Sequence, residues 1–109
     1  MYICNAFSLN MLKSLNVNVA IRPISIQDMR DFNAEKPLES AVGHIGTAQV
    51  FSSELGFDVP ANRVSLALGP GNRLLVGQYR GPRLEAGATE LPQGATIEWA
   101  LVAIRKGRR

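Results

Sequence analysis

Cysteine and histidine are almost missing from this sequence, which has one of each in 109 residues. The single cysteine, Cys4, cannot form an internal disulfide, and a lone cysteine excludes zinc sites that are built from several thiolates. With His44 as the only imidazole, the chain has few soft ligands to offer a catalytic transition metal. We therefore expect neither a bound metal nor another cofactor.

Long hydrophobic runs are also missing. No stretch approaches the roughly 20 consecutive apolar residues that cross a bilayer, and no charged segment leads an apolar stretch at the N-terminus. The sequence predicts a cytoplasmic protein that does not contact membranes.

The formal net charge of +3 comes from one end of the chain, because four of the twelve basic residues lie in the last five positions. Without those four, eight basic side chains face nine acidic ones. A protein that binds long DNA or RNA needs a broad basic surface, and this body is close to neutral. We expect no long nucleic acid as partner and interpret the basic tail as an aid to solubility.

Hydrophobic residues make up 46% of the chain, which is enough to form the core of one small domain over residues 1–109. Apolar alternation predicts strands, and helical spacing after capping residues predicts helices. We expect an α/β fold with a mixed β-sheet flanked by helices. The predicted strands are 2–4, 17–24, 63–68, 73–79 and 96–104, with a brief strand or turn at 40–42; the predicted helices begin after Ser8, Ser25 and His44.

Three details of this prediction can be tested directly. Pro23 places the second strand at a sheet edge or near its own end. A Gly-Pro-Gly-Asn turn at 69–72 joins strands 63–68 and 73–79 into a hairpin. Residues 80–94 form the longest irregular stretch, and such a loop in a small domain is typically functional or mobile.

His44 lies between two glycines, just before the predicted helix that ends at Gly56. Free backbone N–H groups and the positive end of the helix dipole make this a place for an anion, and an imidazole beside a phosphate can exchange a proton near neutral pH. The alternative is a purely structural histidine. Near the other helix start, Asn5, Ser8 and Asn10 could hold a phosphate or a base, although ordinary capping explains Ser8 and Asn5 equally well.

Several enzyme classes find no support. Ser8 or Ser40 with His44 lacks the nucleophile-elbow pattern of a serine hydrolase and an aspartate behind the histidine. No spacing pairs two carboxylates for glycoside chemistry, and no acids cluster for a metal nuclease. Metal-free cleavage of RNA by its own 2′-hydroxyl remains open: it needs a proton donor, for which His44 is available, and cations such as Arg63 and Arg83. Both arginines are equally compatible with solvated surface positions.

Four segments together resemble a known family. They are Tyr2-Ile-Cys-Asn-Ala-Phe-Ser-Leu-Asn-Met-Leu12, Gly43-His44 followed by Thr47-Ala-Gln, Asn62-Arg-Val, and Gln78-Tyr-Arg-Gly-Pro-Arg-Leu84 with Gly87. This pattern is similar to the small ring nucleases that occur as viral anti-CRISPR proteins and in type III CRISPR loci. The resemblance implies a homodimer that binds cyclic tetra-adenylate across its interface. It further implies metal-free cleavage to linear di-adenylate with a 2′,3′-cyclic phosphate, which switches off the nucleases that the messenger activates.

The resemblance also assigns roles to individual positions. His44 corresponds to the catalytic histidine, the presumed general acid, and Arg83 to an arginine near the scissile phosphate. The positions that correspond to ligand contacts are Asn5, Ser8, Asn10, Thr47, Arg63 and Gln78.

Two departures from the family pattern stand out. The usual glutamate directly before the glycine is replaced by Ala86, and the acid, Glu85, lies one residue earlier; we take Glu85 as the candidate for that catalytic role. Ile45-Gly46 replaces a polar pair, which implies that a backbone N–H at Gly46 substitutes for a side-chain contact. The shifted acid keeps an alternative open, a protein that binds a cyclic oligoadenylate without cutting it.

Overall fold

The computed structural model describes residues 1–108 and confirms an α/β domain with a five-stranded mixed sheet and two α-helices. Arg109, the last residue of the basic tail, lies outside the described residues. The elements are β1 (Tyr2–Cys4), β2 (Val17–Pro23), α1 (Ile26–Glu35), β3 (Glu39–Ser40), α2 (Ile45–Leu55), β4 (Arg73–Arg80) and β5 (Thr96–Lys106).

The strand order in the sheet is β2-β5-β4-β1-β3. The pairs β2–β5 and β5–β4 are antiparallel, whereas β4–β1 and β1–β3 are parallel. As Pro23 predicts, β2 is an edge strand. Because β4, β1 and β3 run in one direction, their carboxyl ends meet at the same edge of the sheet, which is where open α/β sheets generally bind ligands.

Both helices pack on one face of the sheet. Met29 of α1 and Phe51 and Leu55 of α2 are fully buried there against Leu75 and Trp99. The rings of Phe51 and Trp99 meet edge to face with centroids 4.8 Å apart, an arrangement that adds to the burial of their large apolar surface. This face holds the main core.

Both α-helices begin after the predicted capping residues and α2 ends where the sequence predicts, whereas α1 continues to Glu35. In α1, Ser25 and Asp28 form a capping box, in which each side chain accepts a 3.0 Å hydrogen bond from the other's backbone N–H. In α2, Gly56 adopts a left-handed backbone with φ of 80°, which ends the helix at little steric cost.

The opposite face is covered by segments without regular structure. Leu74, Val102 and Ile104 of the sheet pack there against Leu68 and, more loosely, Met11. The helix predicted after Ser8 is wrong: only a three-residue 3₁₀ turn, Leu9–Met11, forms.

The reason is that Leu9, Leu12 and Leu15, which helical spacing would place on one face, have no common surface to cover. Leu9 and Leu15 are 62% and 72% exposed, and Leu12 instead makes an isolated parallel bridge with Leu68. Short helices depend on tertiary packing of an apolar face, and this segment has no such packing. A serine also offers the backbone an alternative to helical hydrogen bonds, since the Ser14 hydroxyl accepts from the Asn16 N–H.

The predicted strand 63–68 and its hairpin with 73–79 are also wrong, because 63–68 forms no strand. The strand β4 has two edges, and both are occupied, by β5 on one side and β1 on the other. The alternation arises because the segment crosses the helix-free face, where Leu66 and Leu68 point into the sheet. The true hairpin partner of β4 is β5, reached through the long loop 81–95.

The basic C-terminus is more ordered than a loose tail. Arg105 and Lys106 belong to β5 and pair with Asn18 and Val17 of β2. Over residues 1–108, no helix combines the length and apolarity that a bilayer crossing requires.

Candidate functional site

The candidate site lies at the sheet edge where β1, β3 and β4 end. Residues 5–8 follow β1, residues 41–44 follow β3, and residues 81–85 follow β4, so the topology brings three of the predicted segments to one edge. The connection from β3 leads directly into α2, whose first turn therefore points its N–H groups at this edge.

His44 is the N-cap of α2, with an extended backbone. Its Nδ1 accepts a 3.4 Å hydrogen bond from the Thr47 N–H, and the Thr47 hydroxyl lies 3.5 Å from the same atom. A neutral ring with an accepting Nδ1 carries its proton on Nε2. In the charged ring both nitrogens are donors, so the bond from the Thr47 N–H is lost and the Thr47 hydroxyl is the neighbouring group that can accept from Nδ1.

Arg63 is held beside the histidine. Its Nε donates to the Gly43 carbonyl at 3.2 Å, and its Cγ would lie 3.1 Å from a Cβ built on Gly43. The preceding Asn62 fixes this segment along the end of β3, because its side chain donates to the Ser40 carbonyl at 2.7 Å and its N–H to the Val42 carbonyl at 2.8 Å. Although Asn62 stands in the family-like motif, its bridging role was not predicted.

The segment with Arg83 and Glu85 reaches the same helix end through its backbone. A Cβ on Gly46 would lie 2.5 Å from the Glu85 carbonyl oxygen and 3.2 Å from that of Leu84. Leu84 is buried, whereas the side chains of Arg83 and Glu85 are exposed. Glycine at position 46 thus has a packing reason, in addition to the backbone contact that the resemblance implies.

Asn5 and Gln78 line an open groove of about 670 Å³, which extends from this edge over the helix-free face of the sheet. Its floor includes Val76 and Val102, and the exposed ion pair of Arg80 and Glu98, 3.2 Å apart, lies on its wall. Its other lining residues are Ala6, Phe7, Ile21, Pro23, Tyr79, Trp99 and Ala100.

Seven of the ten predicted site residues fall into two groups. His44, Gly46, Thr47 and Arg63 surround the start of α2 together with the Glu85 backbone, while the groove holds Asn5 and Gln78 and does not include His44. The remaining predicted residues are exposed: Ser8, whose hydroxyl accepts from the Asn10 N–H, Asn10 itself and Arg83.

Other ionisable groups give little nucleophilic chemistry. Burial raises the pKa of the Cys4 thiol to about 11, although a backbone hydrogen bond at Ala6 opposes this, so thiolate is scarce near neutral pH. The neighbouring Glu39 carboxylate raises the pKa of Tyr2. Among the described residues, no three His, Cys, Asp or Glu side chains are grouped so that they could hold a metal ion.

Comparison with known proteins identifies the family of this chain. The family model described as STIV B116-like matches residues 1–97. The chain belongs to the STIV B116-like family. The solved structure of B116 from Sulfolobus turreted icosahedral virus superposes with a TM-score of 0.76 at 27% sequence identity, covering 94% of this chain and 97% of that protein.

A curated relative is also viral. Uncharacterized protein 26 of Sulfolobus islandicus filamentous virus, isolate Iceland/Hveragerdi, is 25% identical over 75 residues, which are 69% of this chain. The match spans 64% of the relative's own length. The STIV B116-like family therefore links this α/β fold to proteins of archaeal viruses.

Proposed function

We propose that this protein is a metal-independent ring nuclease that cuts cyclic tetra-adenylate into linear di-adenylate with a 2′,3′-cyclic phosphate. In a host with a type III CRISPR system, this would switch off the effector nucleases that the messenger activates. The observation that carries the proposal is the group around the start of α2: a histidine held by Thr47, an arginine bonded to Gly43, and the segment of Arg83 and Glu85 packed on Gly46.

The reaction needs little from the protein. The 2′-oxygen attacks the neighbouring phosphorus, the bond from phosphorus to the 5′-oxygen breaks, and the 2′,3′-cyclic phosphate forms. In its charged, doubly protonated form, His44 donates the Nε2 proton to the departing 5′-oxygen and becomes the neutral ring, because Nδ1 faces Thr47. Arg63 and the N–H groups of the first helical turn neutralise the charge that develops on the phosphoryl oxygens. Glu85 is the candidate acceptor of the 2′-hydroxyl proton.

A homodimer is part of the proposal. Cyclic tetra-adenylate contains repeated units, and a two-fold interface presents the same patch twice, so one ring can meet two identical half-sites and be cut at two opposite phosphates. Two cuts give two di-adenylates. Light scattering is expected to give a mass of two chains at micromolar concentration, and a monomer that binds the ring with undiminished affinity would contradict this part.

The decisive experiment is incubation with cyclic tetra-adenylate in a chelator, followed by chromatography of the products. We expect linear di-adenylate with a 2′,3′-cyclic phosphate to accumulate at the same rate with and without the chelator. A ring that returns intact, while calorimetry shows it bound, would reject the nuclease.

That result would favour the alternative, a binding protein that sequesters a cyclic oligoadenylate. Two observations support this alternative: the groove with Asn5 and Gln78 does not include His44, and the acid of the family pattern is shifted to an exposed side chain, Glu85. The two functions differ in turnover, because a binding protein inhibits the effector nucleases only at concentrations that match the messenger.

A further inference from the structure

The loop after β4, residues 81–95, is hydrogen-bonded to neighbouring elements, although such a Gly- and Pro-rich stretch is expected to be mobile. The Gly87 N–H donates to Gln49 Oε1 at 3.0 Å, and the Ser53 hydroxyl donates to the Thr89 carbonyl. Closer to the strand, the Tyr79 hydroxyl donates to the Pro82 carbonyl at 2.6 Å. The loop is therefore attached along the surface of α2.

The attachment points on α2 form one stripe. Gly46, Gln49 and Ser53 are separated by three and four residues, which puts them on one face of a helix. The partners on the loop, Glu85, Gly87 and Thr89, follow in the same order. The loop thus runs along the helix axis, away from the end that His44 caps.

Every one of these contacts goes to the loop backbone. Gln49 and Ser53 therefore fix where the loop lies without contacting the side chains of Arg83 or Glu85. Leu84, which is 4% exposed, anchors the loop between those two residues. Because His44 caps the same helix, these contacts set the distance between the histidine and the two charged residues.

We propose that Gln49 and Ser53 are positioning residues, which hold the loop bearing Arg83 and Glu85 in register with His44 on α2. The inference rests on the proposed ring nuclease activity. Both side chains lie on the helix surface beyond the site, so they act through the loop and not on the substrate. Catalysis is sensitive to such placement, since a displacement of about 1 Å can cost about 10²-fold in rate.

The test uses Gln49→Met, which keeps the length of the side chain and suits a helix but has no strong acceptor, and Gln49→Glu, which keeps an acceptor oxygen. Gln27→Met is the matched control, because Gln27 is exposed on α1 and bonds to Asp31 at 2.9 Å, away from the loop. Ser53→Ala tests the second bond at an exposed position. Thermal melting confirms that each variant is folded.

Two readouts separate positioning from simple stability. The first is hydrogen exchange of the Ala88 amide, which bonds to the Glu85 carbonyl at 3.0 Å within the loop and not to Gln49. In Gln49→Met we expect the Ala88 amide to exchange its hydrogen roughly 3- to 10-fold faster than in the wild type, as the loss of one net hydrogen bond implies. The second is single-turnover cleavage of cyclic tetra-adenylate, which we expect to slow roughly tenfold with a nearly constant dissociation constant.

Restoration of both quantities by Gln49→Glu, with no change in Gln27→Met, would support the inference. Wild-type cleavage by Gln49→Met would overturn it, as would a slowed variant whose Ala88 exchange is unchanged. A wild-type protein that leaves the ring intact would instead reject the proposed function. In that case Ala88 exchange alone decides whether Gln49 holds the loop, and unchanged exchange would overturn that as well.

Discussion

On one face of the sheet, two helices bury a continuous core, whereas the other face is covered by irregular segments and partly open as a groove. Phe51, Met29 and Leu55 of the helix face have no exposed surface. On the groove side, Ile21 is 63% exposed and Gln78 is exposed as well. We propose a division of labour, in which packing of the helix face supplies stability, while the sheet edge and the open face are the candidate regions for binding and chemistry.

The largest effect is expected at the boundary between these regions, at His44. Asparagine is a good N-cap, so His44→Asn preserves the start of α2 while removing the proton donor. We expect single-turnover cleavage of cyclic tetra-adenylate to slow roughly 10²–10⁴-fold, the usual range for a positioned general acid, with little change in the dissociation constant. Rapid quench under chelation and calorimetry measure the two quantities.

His44→Ala serves as the companion variant, because it removes the cap as well. It is expected to lose about 1 kcal/mol of stability relative to His44→Asn at a similar cleavage rate. A His44→Asn protein that cuts near the wild-type rate would remove the acid role. Loss of ring binding would reassign His44 to ligand capture.

The next largest effect is expected in stability, when a substitution on the helix face is compared with one on the groove side. Phe51→Ala removes the buried ring by which α2 packs on Trp99. We expect a loss of about 3–5 kcal/mol in the free energy of unfolding. The exposed Ile21→Ala on the groove side is expected to change it by no more than about 0.5 kcal/mol. Urea denaturation measures both, and similar losses in the two variants would contradict the division of labour.

A smaller effect is expected at Gly46, where both regions meet. In Gly46→Ala the new Cβ would lie 2.5 Å from the Glu85 carbonyl oxygen, so the loop must shift, at a cost of about 1–3 kcal/mol and with slower cleavage. Gly87→Ala is the control: its φ of 98° strains alanine, but nothing lies within 4 Å of the added atom. If Gly87→Ala slows cleavage more than Gly46→Ala does, crowding at Gly46 is not what limits the loop.

The same contrast explains what sequence reasoning achieved. Elements on the helix face carry local signals that agree with their packing, such as Ser25 before α1 and Gly56 after α2, and the sequence predicts both. Residues 63–68 alternate like a strand, yet their pattern reflects packing across a sheet face. Sequence alone does not reveal that β1 and β5 occupy both edges of β4, since these pairings join distant segments.

The candidate site was predictable to a similar extent. His44 before a helix was recognised from its flanking glycines, and Arg63 from chemistry and the family pattern. The bridges of Asn62 and Gln49 were missed as structural roles, because they depend on which loop backbone passes nearby. A short polar side chain gives no indication of a distant carbonyl or N–H that it will meet.

The smallest effect concerns pH and lies far from the site. In α1, hydrogen bonds from Ser25 lower the pKa of Asp28 below its usual value of 3.8, so the carboxylate stabilises the folded state above that pH. This contribution disappears as the pH falls below 3.8 through the lowered pKa. We expect Asp28→Ala to melt at a lower temperature than wild type at pH 7, and the difference to narrow under acid; cleavage should stay unchanged. A melting difference that is constant from pH 7 to pH 3 would mean that helix propensity, and not the ionised capping box, sets the difference in stability. A change in the cleavage rate would show that the helix face influences the site.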